Sequence, residues 1–132
     1  MPGLSHLFTA TTHAREVECT LEIACARDGT LLALRGQAYS DIGAYVRPNA
    51  VTAPRNLAQM IMGPYRVPHV LMNIDIVISN KTPAGSYRGP GRFEADFCRE
   101  RLFDIAAREL NIDRIEFRRR NLLTADEMPY AL

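Results

Sequence analysis

Arg88 and Arg92 stand four residues apart in the run Gly85-Ser86-Tyr87-Arg88-Gly89-Pro90-Gly91-Arg92, whose glycines open backbone conformations that other residues adopt only at a cost. A glycine turn leading into a helix presents successive backbone N–H groups, first those of the turn and then the free ones of the helix N-terminus. Together they form a pocket for a phosphate or another anion. Two guanidinium groups would add positive charge to it. The same pattern also serves as a plain connection, so spacing alone leaves both readings open.

The elements that must hold this run can be read from hydrophobic period. Val17, Cys19, Leu21 and Ile23 alternate with Glu16, Glu18, Thr20 and Glu22, the pattern of a strand with one dry and one wet face. Arg27-Asp28-Gly29-Thr30 supplies an Asp-Gly turn, and Leu31 to Tyr39 returns as the second arm of an antiparallel hairpin. Asp41-Ile42-Gly43-Ala44-Tyr45 then enters a loop marked by Pro48 and Pro54. Pro54 is expected to be the first residue of a short helix through Leu57, Met60 and Ile61, stopped by Gly63-Pro64.

Val67 to Ser79 reads as a strand, and its near-continuous apolar end predicts a central position with both faces covered. A helix over 93–110 places Ala95, Cys98, Leu102, Phe103, Ile105, Ala106 and Leu110 on one side. Arg99 projects among them, where a charge is costly unless paired with an acid or bound to an anion; its stem is expected to snorkel. Asp113 is a natural cap for a last helix carrying Arg118-Arg119-Arg120, with Glu116 three residues on. No period marks Leu4 to Ala14 or Thr124 to Leu132.

Composition narrows the function classes. With 132 residues, 47% of them hydrophobic, the chain has the length of one domain and enough apolar content for a core. Its 16 basic and 15 acidic residues nearly cancel, and no aromatic series accompanies Arg118 to Arg120, so neither nucleic acid nor a membrane is expected as a partner. Three cysteines, Cys19, Cys25 and Cys98, lack CxxC spacing and are expected as reduced thiols in the core of a cytoplasmic protein. His6, His13 and His69 are isolated, so no protein-held metal is expected. GxSxG, HExxH and P-loop motifs are absent, leaving hydrolase and kinase readings unsupported.

Taken together, Gly85 to Ala95, Glu100-Arg101-Leu102, Ala106 to Leu110 and Asp113 through Arg118-Arg119-Arg120-Asn121-Leu122 resemble the large subunit of the molybdenum hydroxylases. That family includes xanthine dehydrogenase, aldehyde oxidase and the carbon monoxide dehydrogenase-like proteins. His13-Ala14-Arg15, Asp41 to Tyr45 and Gly63-Pro64-Tyr65-Arg66-Val67-Pro68 match it as well, so the resemblance covers nearly the whole chain.

The resemblance implies an oxidoreductase that hydroxylates an aldehyde or an N-heterocycle with oxygen drawn from water, using molybdenum-molybdopterin in its cytosine dinucleotide form. Electrons would pass to iron–sulfur and FAD centres on partner subunits or domains. The family holds its metal through the pterin rather than through side chains, and the resemblance assigns Tyr87, Arg88, Gly89, Pro90 and Gly91 to the cofactor, with Arg88 also catalytic. Gly89 stands where true carbon monoxide dehydrogenases carry a copper-binding cysteine, and Pro90 where purine oxidisers carry phenylalanine, which disfavours carbon monoxide and xanthine as substrates. The family subunit is several times longer and carries its catalytic glutamate in a segment with no counterpart here. Residues 1–132 are therefore expected to be a partial molybdopterin-binding domain, inactive and association-prone by itself. The expected fold is α+β, a hairpin and a further strand packed against the amphipathic helix; the alternative function is a stand-alone anion- or nucleotide-binding module using the same loop.

Overall fold

A computed structural model describes residues 15–130. The hairpin forms from β1 (Glu16–Cys25) and β2 (Leu31–Asp41), antiparallel, with Ile23 opposite Leu34, Leu21 opposite Gly36 and Cys19 opposite Ala38. A bulge between Ala24 and Cys25 resets the alternation, so that Leu31 and Leu34, three residues apart, both reach the core. Gly36 is the low point of the inner face: a Cβ there would lie 2.3 Å from Leu21 Cδ2 and 2.7 Å from Met72 Sδ, the side chains that fill its space from either side.

Helix α1 (Thr52–Met60) carries the chain across to β3 (His69–Val77), which pairs with β2 in parallel and completes a mixed sheet of order β1-β2-β3. Pro54 is the third residue of α1 rather than the first. Its missing N–H is still harmless, because the first N–H groups of a helix have no intrahelical acceptor. The long helix α2 (Arg92–Glu109) and then α3 (Arg114–Asn121) follow, and a single 3-10 turn, Ala125–Glu127, lies within the unpatterned tail. The architecture is α+β.

The three helices share one core with the hairpin. Leu31, Leu34, Leu57, Ile61, Tyr65, Ala95, Phe103, Ala107 and Phe117 are buried there, and Phe103 meets Tyr65 and Phe117 edge-on at centroid distances of 4.9 and 5.6 Å. Asn121 ties the two ends of the chain together. Its buried amide donates to Gly29 O (2.9 Å) and Phe117 O (2.8 Å) and accepts from Leu31 N–H (2.9 Å), fixing the end of α3 against the β1–β2 turn. Asp113 caps α3 as expected, accepting from the N–H groups of Ile115 and Glu116.

Three expectations need correction. β3 is an edge strand, not a central one: Val70, Leu71, Ile76, Val77 and Ile78 are exposed, since within residues 15–130 only β2 pairs with it. An apolar run shows that a strand can tolerate cover, not which element of the same chain supplies it. The cysteines are all free but half-buried rather than in the core. Arg99 does not snorkel; its side chain is buried and fully paired, as described in the Discussion.

Candidate functional site

The loop that leads into α2 is held by a backbone ladder laid down just after β2. Ile42 N–H donates to Val77 O (3.1 Å), Ser79 N–H to Gly43 O (3.2 Å), Ala44 N–H to Lys81 O (2.9 Å) and Ala84 N–H to Ile42 O (3.1 Å). Gly43, at φ 80°, permits this approach, because a Cβ there would stand 2.6 Å from Thr82 O. Asp41 locks the corner by accepting from Gly43 N–H (2.8 Å) and from the Ser79 hydroxyl (2.9 Å); those two hydrogen bonds, the first above all, hold its carboxyl below the usual range.

Further along, the loop is fastened from three sides. Ser86 Oγ donates to Asn49 O (2.8 Å), Asn56 Nδ2 of α1 donates to Pro90 O (2.9 Å), and Arg15 Nη1 donates to Gly85 O (3.3 Å). Arg15 also binds Glu94 in the first turn of α2 at 2.7 Å, both side chains nearly buried, and lies 5.2 Å over the Phe93 ring. Gly91 caps α2 in the left-handed region at φ 80°, where a Cβ would fall 2.2 Å from Ala53 O. The helix therefore begins directly on α1.

Between these anchors the loop opens outward. Tyr87 is 77% exposed, Arg88 is exposed, and a Cβ on Gly89 would touch only Arg92 Cδ, at 3.9 Å. The N–H groups of Tyr87, Arg88 and Gly89 donate to no protein acceptor among the described residues, and Arg88 makes no ion pair there. Glycine-permitted backbone, N–H groups without a protein acceptor among the described residues and an exposed guanidinium give this edge the donors and charge that an anion would need. Of the five residues singled out in the sequence, Tyr87, Arg88 and Gly89 lie on that open edge, whereas Pro90 and Gly91 face α1.

Arg15 and Asn56 were not recognisable as supports from the residues alone. Arg15 sits just ahead of the β1 alternation, and its partner Glu94 is 79 residues away. Two of the three arginines in the run have structural partners: Arg118 binds Glu100 (2.7 Å) and Asp104 (2.8 Å) on α2, and Arg119 binds Glu116 (2.6 Å). Among the described residues no group of three histidine, cysteine or acidic side chains is placed to hold a metal ion, and no helix is long and apolar enough to cross a membrane.

A mixed sheet backed by three helices, with a braced loop open to the outside, defines a domain of α+β class. Residues 4–122 match the molybdopterin cofactor-binding domain, and the chain belongs to that family. It is 43% identical over 122 residues to the 6-hydroxypseudooxynicotine dehydrogenase complex subunit gamma of Paenarthrobacter nicotinovorans, covering 92% of this chain and 15% of that protein. The carbon monoxide dehydrogenase large chain of Hydrogenophaga pseudoflava is 32% identical over 125 residues, covering 92% of this chain and 16% of that one. The crystal structure of quinoline 2-oxidoreductase from Pseudomonas putida 86 superposes with a TM-score of 0.84 at 35% identity, over 91% of this chain and 16% of that chain. The chain thus spans 15 to 16% of the length of these relatives.

Proposed function

We propose that this chain forms the loop-bearing part of the catalytic subunit of a molybdenum hydroxylase, with Tyr87, Arg88 and Gly89 as its contacts to the molybdenum–molybdopterin group. The observation that carries this reading is the set of N–H groups at 87–89 without a protein acceptor among the described residues, on a loop fastened by Arg15, Asn49 and Asn56. When bound, the group supplies two-electron oxidation of a carbon centre with oxygen taken from water, and the cytosine dinucleotide form is the one proposed. The protein's part is positioning and electrostatics. Arg88 brings positive charge to the edge, the N–H groups of 87–89 supply fixed dipoles, and Pro90 and Gly91 set the loop's height by packing on α1.

Glu94, in the first turn after the loop, is committed to Arg15. That supports drawing the general base from another part of the subunit, so this chain by itself would not turn over. Electron transfer would run to iron–sulfur and FAD-binding partners in the cytoplasm.

An N-heterocycle is the preferred substrate class over an aldehyde. Two of the relatives above carry names built on nitrogen-ring compounds, and Gly89 offers no thiol for a second metal. Isotope labelling tests the reaction. A molybdenum-loaded complex containing this chain should place one 18O atom in the hydroxylated product when it turns over an N-heterocycle such as quinoline in H2 18O. Product oxygen derived from O2, or no turnover with any N-heterocycle or aldehyde, would contradict the proposal.

A further inference from the structure

Beneath the Arg15–Glu94 ion pair, the seam between β1 and α2 continues to a second pair. Cys19 shares a strand face with Arg15, four residues back, and Cys98 shares a helix face with Glu94, again four residues back. Both cysteines line a single open cavity of about 640 Å³, together with Val17, Phe93, Glu94 and Phe97. Both are free and half-buried, and Cys25 lines no part of that cavity. Neither thiol has a task in the cofactor reading.

We propose that Cys98 and Cys19 are a peroxide-sensitive thiol pair, Cys98 attacking and Cys19 resolving. The Cys98 thiolate attacks the terminal oxygen of a hydroperoxide, ROOH, and the O–O bond breaks. ROH leaves with one proton, and Cys98 becomes a sulfenic acid. Cys19 Sγ then displaces that hydroxyl, which departs as water with the Cys19 proton, and an S–S bond closes. Two thiols lose two electrons, which reduce one hydroperoxide to alcohol and water. The bond would tie β1 to α2 directly behind the helix start that carries the Arg88 loop.

Local electrostatics agree with these roles, and the cavity shared by the two thiols is what brings them together. A hydrogen bond from Cys19 favours the Cys98 thiolate and lowers its pKa from 9.0 to about 7, against partial burial and the nearby Glu94 carboxylate. Sharing that hydrogen bond, and then burial, pushes Cys19 the other way. Burial alone raises Cys25.

Peroxide titration of the reduced 132-residue chain tests this independently of molybdenum or turnover. Digestion with trypsin and glutamyl endopeptidase, which cuts after Glu22, separates Cys19 from Cys25. One equivalent of hydrogen peroxide should give an intrachain Cys19–Cys98 link, reversed by dithiothreitol, with Cys98 consumed faster than Cys25. In Cys19→Ser, dimedone should trap the Cys98 sulfenic acid, while Cys25→Ser should link as the wild type does. The proposal is overturned if Cys98 stays fully alkylatable after peroxide. It is equally overturned if Cys25–Cys98 links form as often as Cys19–Cys98 links, as they would in guanidinium, or if the disulfide joins two chains.

Discussion

Arg99→Ala is expected to lower the unfolding free energy by about 3 kcal/mol. Arg99 is 3% exposed, and its guanidinium closes the end of α1 by donating from Nη1 to Met60 O (3.2 Å) and Ile61 O (3.4 Å). These carbonyls are left without intrahelical partners where α1 ends. Nη2 meets Asp96 at 2.6 Å, Nε meets Glu100 at 3.0 Å, and the group lies 5.5 Å over the Tyr65 ring.

The backbone is shaped around this cation. Gly63 turns at φ 58°, and a Cβ there would sit 2.5 Å from Arg99 Cζ, so the chain wraps the guanidinium where a side chain would otherwise stand. Truncation would leave Ile61 O without a donor among the described residues, while Met60 O would keep the Gly63 N–H (3.0 Å), and it would open a void. Asp96 and Glu100 are 61% and 33% exposed at their side chains and would be partly compensated by water, which keeps the loss near the lower end of the range for breaking a buried pair, about 3 to 5 kcal/mol. Lysine should not rescue it, because a single ammonium cannot meet acceptors on four sides. Urea unfolding of the wild type, Arg99→Ala and Arg99→Lys measures this. A loss under about 1 kcal/mol in either variant would show that the pairing contributes little.

Arg88→Ala should do the reverse. Arg88 is exposed and unpaired among the described residues, so its removal should leave the melting temperature nearly unchanged. In a molybdenum-loaded complex containing this chain, turnover per molybdenum should fall by about 100- to 1000-fold, since a preorganised donor at a developing charge is typically worth about 2.7 to 4 kcal/mol. Turnover normalised to bound molybdenum, beside the melting temperature of the same variant, separates the two roles. Normal turnover in a destabilised protein would remove Arg88 from the site.

The contrast between these arginines shows how much the sequence disclosed. Period located the hairpin strands and α2, while Asp28-Gly29 marked the hairpin turn, Pro54 and Gly63-Pro64 marked α1, and the glycines marked the loop before α2, because each signal lies within about ten residues. Arg99 was visible as a misfit on an apolar face with Asp96 and Glu100 beside it, but its other acceptors, Ile61 O and Met60 O at the end of α1, are 38 and 39 residues away, and no local pattern connects them. The edge position of β3 was hidden for the same kind of reason. Its apolar run is equally consistent with a partner strand inside or outside the described residues.

The loop itself was legible through its glycines, whereas its supports were not. Arg15, Asn56 and the Asp41–Gly43 corner reach it through backbone contacts that only the folded chain brings together. Gly91 read as a ligand residue from sequence, yet the fold gives it a second reason to be glycine, the close approach of Ala53 O. The family resemblance, carried by combined motifs over most of the chain, agreed with the match over residues 4–122.

The central claim is that Tyr87, Arg88 and Gly89 face a molybdenum–pterin group, and elemental analysis tests it most directly. A complex containing this chain, purified with its iron–sulfur and flavin partners from a molybdopterin-competent host, should hold close to one molybdenum per chain. Replacing residues 87–89 with Ala-Ala-Val should lower that content several-fold without loss of the folded chain, because it removes the Tyr87 and Arg88 side chains and disfavours the left-handed backbone at Gly89, φ 66°. A folded wild-type complex without molybdenum, or a loop variant with undiminished molybdenum, would contradict the account.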